Sequence, residues 1–243
     1  ATSLQLRQAG TLDPAHWPWF HLAVDGSRTQ RVLYALAPPL YADTLVCIRE
    51  ADPSQRLKDS DKTVSPPKRY PGAAVVLDDD SRPDFNGDGY TDLLLWKGAE
   101  PLLTIDSLAN TVTTGTWPLT LSVHLFSIKK NRYEPAPASR ITASAPISWF
   151  VAADTTGPIR HCVLRDFNGD GRTDFGCSLA PCAFSVWLYG TSGFGRTADF
   201  EYRTDTPILE IAFQSDLEAK GQTTVGLRTR SGLQVLRPTQ EHK

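Results

Sequence analysis

Asp84-Phe85-Asn86-Gly87-Asp88-Gly89-Tyr90-Thr91-Asp92 recurs almost letter for letter as Asp166-Phe167-Asn168-Gly169-Asp170-Gly171-Arg172-Thr173-Asp174. Such a repeat governs the rest of the reading, because each copy marks one supersecondary unit. Each segment follows an apolar, strand-like run, Ala74 to Leu77 in the first copy and His161 to Leu164 in the second. Each runs straight into another, Leu93 to Trp96 and Phe175 to Leu179. A third, degenerate copy spans residues 216–225 and keeps Asp216, Gly221, Thr223 and the apolar exit at Val225. A fainter trace lies between Phe20 and Leu33, around Asp25-Gly26. The copies are unevenly spaced: 82 residues separate Asp84 from Asp166, and 50 separate Asp166 from Asp216. Unequal periods around a common motif imply loop insertions, and the stretch from Gly98 to Trp117 reads as one.

The segments between copies read as strands. Ser122 to Phe126 and Ser185 to Tyr189 alternate, and Ala198 to Tyr202 has the two-residue period of a half-buried strand. Ile208 to Phe213, Thr224 to Arg228 and Leu233 to Leu236 supply the last unit, which then has three strands. Ser3 to Arg7 is a short alternating strand at the other end of the chain. The expectation is an all-β fold over residues 1–243 as a single domain. It is a small β-propeller of four blades, each of four antiparallel strands, closed by the N-terminal strand. Four blades divide the chain at about 60 residues each, inside the range of about 4 to 8 blades found in propellers. Five blades or a β-sandwich are the alternative architectures. The 18 prolines and 17 glycines, scattered along the chain, agree with many short strands joined by turns.

The repeated loop has the chemistry of a calcium site. Calcium is a hard cation that takes about 6 to 8 oxygen ligands at about 2.3–2.6 Å. In the first loop Asp84, Asn86, Asp88 and Asp92 offer side-chain oxygens, and Tyr90 offers its backbone carbonyl. In the second loop Asp166, Asn168, Asp170 and Asp174 do the same, with the carbonyl of Arg172. Gly89 and Gly171 permit a turn where a side chain would clash or φ must be positive. Two calcium ions are therefore expected, one per loop, and none at the degenerate copy. The loop is not an EF-hand, because the bidentate Glu at the twelfth position would fall on Leu95 and Cys177. An Asx-rich surface turn without metal is the alternative.

These loops, with the strands after them, resemble the FG-GAP/VCBS class of repeats, which build the propeller of integrin alpha subunits and of many bacterial surface and secreted proteins. Ser192-Gly193-Phe194-Gly195 is similar to that family's glycine-phenylalanine segment. The resemblance covers about 30 residues per good copy and is weak over most of Ala1 to Arg69. It implies calcium at the blade edge and partners that meet the loops on one face. The chain departs from the family in size, since most such propellers have more blades.

Composition narrows the partner. The formal net charge of −2 carries no basic excess that would point to nucleic acid. No apolar run approaches the ~18 residues that span a bilayer, so no membrane insertion is expected. The chain starts at Ala1 and contains no Met. Either it is trimmed at its N-terminus, or it is a mature exported protein. The calcium loops favour export, to a secreted, periplasmic or cell-surface location. Four cysteines fit an oxidising compartment. Cys177 and Cys182 flank a turn-forming Ser-Leu-Ala-Pro, while Cys162 and Cys177 bracket the second loop and could face each other across a hairpin. Cys47 reads as a buried thiol.

No catalytic constellation stands out: there is no G-x-S-x-G, no phosphate loop and no zinc spacing. His16 and His21 flank Trp17-Pro18-Trp19-Phe20, which reads as a core strand before it reads as a sugar platform. His124 alternates with Val123 and Leu125 and is expected to face out. The acidic run Asp78 to Asp80 and the basic runs Lys68-Arg69 and Lys129 to Arg132 read as solvated turns and loops. The expected function is a calcium-stabilised, non-enzymatic binding or adhesion module for a protein or glycan. The alternative is an exported polysaccharide-active enzyme, a lyase or glycosidase, on a propeller scaffold.

Overall fold

A computed structural model describes residues 7–8, 18–23, 31–36, 44–50, 63–74, 82–98, 113–146, 162–215 and 223–237. Among these the chain is all-β, and its large sheets are meanders in which chain neighbours are also sheet neighbours. The first sheet is β1 (Arg7–Gln8), β2 (Pro18–Ala23), β3 (Arg31–Leu36), β4 (Thr44–Glu50) and β5 (Thr63–Tyr70). The second is β6 (Ala73–Ala74), β7 (Leu93–Gly98), β8 (Thr116–His124) and β11 (Ser139–Pro146), with the hairpin of β9 (Phe126–Ser127) and β10 (Arg132–Tyr133) set between β8 and β11. The third is β12 (Cys162–Arg165), β13 (Asp174–Ala180), β14 (Ala183–Trp187) and β17 (Phe200–Arg203), with the hairpin of β15 (Tyr189–Gly190) and β16 (Gly193–Phe194) before β17. The fourth is β18 (Ile208–Ser215), β19 (Thr223–Thr229) and β20 (Gly232–Leu236).

Local sequence explains several details. Pro18 is the first residue of its strand, where a missing N–H costs nothing in the ladder. Pro66 and Pro67 fall inside β5, the outer strand of its sheet. The β4–β5 register shifts between Val46 and Ile48, opposite those two residues that cannot donate.

The second and third sheets correspond strand for strand. In the second, the Asp92 Oδ1 accepts from the Phe126 amide at 2.8 Å, and Ala138 N donates to Val123 O at 2.8 Å. In the third, the Asp174 Oδ1 accepts from the Tyr189 amide at 2.8 Å, and Asp199 N donates to Val186 O at 2.8 Å. Asp92 and Asp174 are 82 positions apart, whereas Phe126 and Tyr189 are 63 apart. The first copy thus carries 19 more residues between its ninth Asp and that amide, most of them between β7 and β8 in the stretch read as an insertion. Most of that stretch, 99–112, lies outside the described residues.

The chain divides into two compact units. One holds β1 to β7 with β9 and β10. The other holds β12 to β20 and also takes in Phe85–Gly87, and β8 and β11 are divided between the two. The core of the first is Val46, Ile48, Tyr70, Leu93, Leu95, Phe126 and Tyr133, with Tyr90 stacked on Phe126 at 5.6 Å. The core of the second is Val163, Phe167, Phe184, Val186, Ile208, Val225 and Leu227, so the third and fourth sheets pack face to face. Burial of side chains at alternate positions in β8 and β19 is the mark of strands with one face on a core.

Of the closing strand expected over Ser3 to Arg7 only Arg7 is described, because residues 1–6 lie outside the described set. Arg7 and Gln8 pair with Trp19 and Pro18 of β2. Three expectations change. Residues 200–203 are exposed throughout rather than half-buried, because β17 is an outer strand of its sheet. His124 is buried, not outward. The ladder breaks at Leu125, where the chain turns from β8 into β9, and Tyr70 lies edge-on to the imidazole at 5.3 Å. Lys68-Arg69 sits in β5 rather than in a loop, with the Lys68 Nζ 5.8 Å from the centre of the Tyr70 ring. Lys129 to Asn131 do form an exposed or half-buried hairpin turn, closed by an ion pair of 2.7 Å between Lys130 and Glu134.

Candidate functional site

The repeated loops are the candidate site, and each is built from its first Asp. In the second loop the two carboxylate oxygens of Asp166 accept from Gly169 N at 2.6 Å and Gly171 N at 2.8 Å. In the first loop Asp84 accepts from Asp88 N at 3.1 Å and Gly89 N at 2.7 Å. A charged acceptor gathering amides in this way wraps the chain around itself. Short Asx turns continue the wrap. Asn168 Oδ1 accepts from Asp170 N at 3.0 Å, and Asp170 Oδ1 accepts from Arg172 N at 2.9 Å. The counterpart in the first loop is Tyr90 N donating to Asp88 Oδ1 at 3.0 Å.

Each loop needs two left-handed residues. Gly87, Gly89, Gly169 and Gly171 have φ of 72°, 84°, 77° and 82°. A Cβ at Gly89 or Gly171 would meet nothing within 4 Å, so conformation rather than space demands glycine there. Gly87 and Gly169 were not singled out from sequence, although each follows Asn, and Asn-Gly is a known turn signal.

The aromatic second residue of each loop is an anchor. Phe85 is fully buried, 5.4 Å from Tyr189 and 5.6 Å from Phe194, which are themselves 4.9 Å apart edge to face. Phe194 belongs to the glycine-phenylalanine segment, here the second strand of the β15–β16 hairpin. Phe167 sits in the core between the third and fourth sheets, beside Phe184. A Cβ on Gly176 would come within 2.7 Å of the Phe184 ring and 2.9 Å of the Phe167 ring, so a bare backbone at that position is what lets both rings lie there.

The ninth-position acids differ from the others. Asp92 and Asp174 are fully buried, whereas Asp88 and Asp170 are exposed, and Asp84, Asn86, Tyr90, Asp166, Asn168 and Arg172 are half-buried. Asp174 Oδ2 accepts from Phe167 N at 2.9 Å, and its Oδ1 accepts from Tyr189 N. One carboxylate therefore ties the start of the loop to the hairpin that follows β14. Burial pushes the Asp174 carboxyl up to about 7, and the nearby Asp166 and Asp170 charges add to that rise, while the two amide bonds oppose it. This tying role was not legible in the sequence, because its partners lie 7 and 15 residues away.

All ten residues expected to hold metal fall within the described residues, five in each loop. Among the described residues no three His, Cys, Asp or Glu side chains gather closely enough to cage a metal ion. What the loops do offer is an all-oxygen donor set, carboxylates with amide and backbone carbonyls, of the hardness that calcium prefers. Each carboxylate oxygen that accepts one amide still has a further lone pair. The donor chemistry therefore fits calcium and does not fit zinc or copper. The degenerate copy closes between Ser215 and Thr223, which pair directly, and its residues 216–222 lie outside the described set. So do His16, Asp25-Gly26 and the acidic run at 78–80.

No protein-family profile and no curated protein sequence matches this chain.

Proposed function

We propose that this protein is a calcium-stabilised, non-enzymatic binding module that works outside the cytoplasm and contacts a protein or glycan through its loops. In this reading the four meander sheets are the blades of a small propeller. Two calcium ions are held, one by Asp84, Asn86, Asp88, Asp92 and the Tyr90 carbonyl, the other by Asp166, Asn168, Asp170, Asp174 and the Arg172 carbonyl. The observation that carries the reading is the duplication of one loop design. The same left-handed glycines, the same first-Asp wrap and the same buried ninth Asp occur in both loops. Three acids in nine residues repel one another, and a buried carboxyl pushed up to about 7 gains most from a cation beside it. The exposed Asp88 and Asp170 leave each loop open to an ion from solvent. Calcium affinity in such oxygen-donor loops is set by ligand charge count and site rigidity.

The test is thermal unfolding in calcium and in excess chelator, with metal content measured on the same sample. An ion bound only by the folded state adds about 2.7 kcal/mol per site at one hundred times its Kd. Two equivalents of calcium and a clear fall of Tm in chelator are expected. Asp88→Ala and Asp170→Ala change exposed side chains, and each should remove one equivalent. A metal-free protein with an unchanged melt would overturn the calcium reading. Glycan-array binding set beside a release assay on mixed polysaccharides separates a binding module from an enzyme: turnover of any substrate would refute the non-enzymatic reading.

A further inference from the structure

The strands that carry the second loop hold two cysteines in direct register. Cys162 of β12 pairs with Cys177 of β13, on the ladder that closes at Arg165 and Asp174 beneath the loop. Directly opposed residues of an antiparallel pair have Cα atoms about 4.5 or 5.5 Å apart and side chains on the same face. Both spacings lie within the roughly 4.4–6.8 Å that a disulfide spans. The two sulfurs are 2.9 Å apart with no bond between them. Cys177 is fully buried and Cys162 half-buried, so Cys162 is the more exposed residue of the pair. The other cysteine near this hairpin, Cys182, lies in the turn between β13 and β14, while Cys177 faces Ser185 across that pair of strands.

We infer that Cys162 and Cys177 form a cross-strand disulfide that staples the hairpin holding Asp166 to Asp174. A small organic disulfide such as oxidised glutathione is the oxidant. The Cys162 thiolate attacks one sulfur of that disulfide, its S–S bond breaks, and the first glutathione leaves as thiolate. The Cys177 sulfur, whose proton passes to solvent or to the leaving thiolate, then attacks Cys162 Sγ and displaces the second glutathione. Two protein thiols are oxidised and one disulfide is reduced to two thiols. Burial pushes the Cys177 thiol well up, with its contact to Cys162 as the second cause, which suits it to the resolving step rather than the first attack. The closed ring spans 15 residues of sequence separation, a length at which a crosslink removes much of the freedom of the unfolded loop. The staple needs no bound metal, so it stands or falls apart from the calcium reading.

The experiment is incubation of the full chain with oxidised glutathione, alkylation of remaining thiols, and peptide mapping by mass spectrometry without reduction. The expected result is a peptide linked through Cys162 and Cys177, two hydrogens lighter than the sum of its thiol parts, with Cys182 alkylated. Reduction should lower the Tm of this oxidised sample by roughly 5 to 10 °C. Cys182→Ser should leave both results in place, and Cys162→Ser should abolish the shift. Alkylation of both Cys162 and Cys177 after oxidation, or a link from either to another cysteine, would overturn the inference. A bond that forms but leaves the melt unmoved would overturn the stapling role.

Discussion

Replacing Asp174 by Asn tests whether the buried ninth acid carries a cost that only a cation relieves. Asp174 is fully buried, and its carboxyl is pushed from 3.8 up to about 7, first by burial. The folded pKa lies above the unfolded one, so the native state keeps a proton that the unfolded chain has released. The associated stability is fully present below pH 3.8 and is lost as pH rises towards 7. At about 1.36 kcal/mol per pH unit, the wild type should lose roughly 2 to 3 kcal/mol from this group between pH 5 and pH 8. Asn cannot ionise, so Asp174→Asn removes the slope. Its amide nitrogen would also face one of the two amides that Asp174 now accepts, a penalty of about 1–3 kcal/mol that does not depend on pH. The assay is urea unfolding of both proteins in chelator at several pH values. The stability of the wild type relative to the variant should fall by roughly 2 to 3 kcal/mol from pH 5 to pH 8. Saturating calcium should flatten that trend, because the metal favours the ionised form. A difference between the two proteins that stays level across this range in chelator would refute the reasoning.

The remaining predictions concern single positions. His124 Nδ1 lies 2.9 Å from the Glu134 carbonyl, which can only accept, so Nδ1 carries the proton of a neutral ring whose pKa burial lowers. Stability from this group is present above the unfolded pKa of about 6.5 and is lost as pH falls below it. His124→Gln should therefore lose less stability than the wild type between pH 7 and pH 5 in urea titrations. Gly171→Ala should cost about 1–2 kcal/mol through its positive φ alone, and Gly171→Asn should cost less, in the same unfolding assay. Equal losses would mean that φ is not the constraint. Gly176→Ala drives a methyl into the rings of Phe167 and Phe184 and should cost about 1–3 kcal/mol. A thermal melt unchanged by that substitution would show that the two rings have room to move.

Much of the strand pattern was legible because side-chain period and turn chemistry are local. Leu93 to Trp96, Phe175 to Leu179 and Ile208 to Phe213 are strands, and the Asp84 and Asp166 segments are turns between strands. The insertion after Gly98 could be placed because the two loops match so closely that any length difference must fall elsewhere. The same local pattern misplaced His124, whose alternation with Val123 and Leu125 implied an outward ring. A break in the ladder at Leu125, and the Tyr70 side chain 54 residues earlier, put that ring inside. Alternation likewise cannot report that β17 is the last strand of its sheet, so Phe200 and Tyr202 read as half-buried when they are 62% and 38% exposed.

The sequence by itself determined that this is an all-β chain built on a duplicated acidic loop, with oxygen-bearing side chains at the same positions in both copies. Those features depend on residue type and spacing over nine positions, a distance within which backbone geometry leaves few choices. Only the tertiary structure decided which acid is exposed and which is buried, which amides Asp174 collects, and that Cys177 faces Cys162 with Cys182 left in a turn. It also placed Arg7 and Gln8 beside β2. Such outcomes are set by register and by the packing of one sheet on the next. A shift of one residue in register would turn each of these side chains to the opposite face, and no local pattern records that choice.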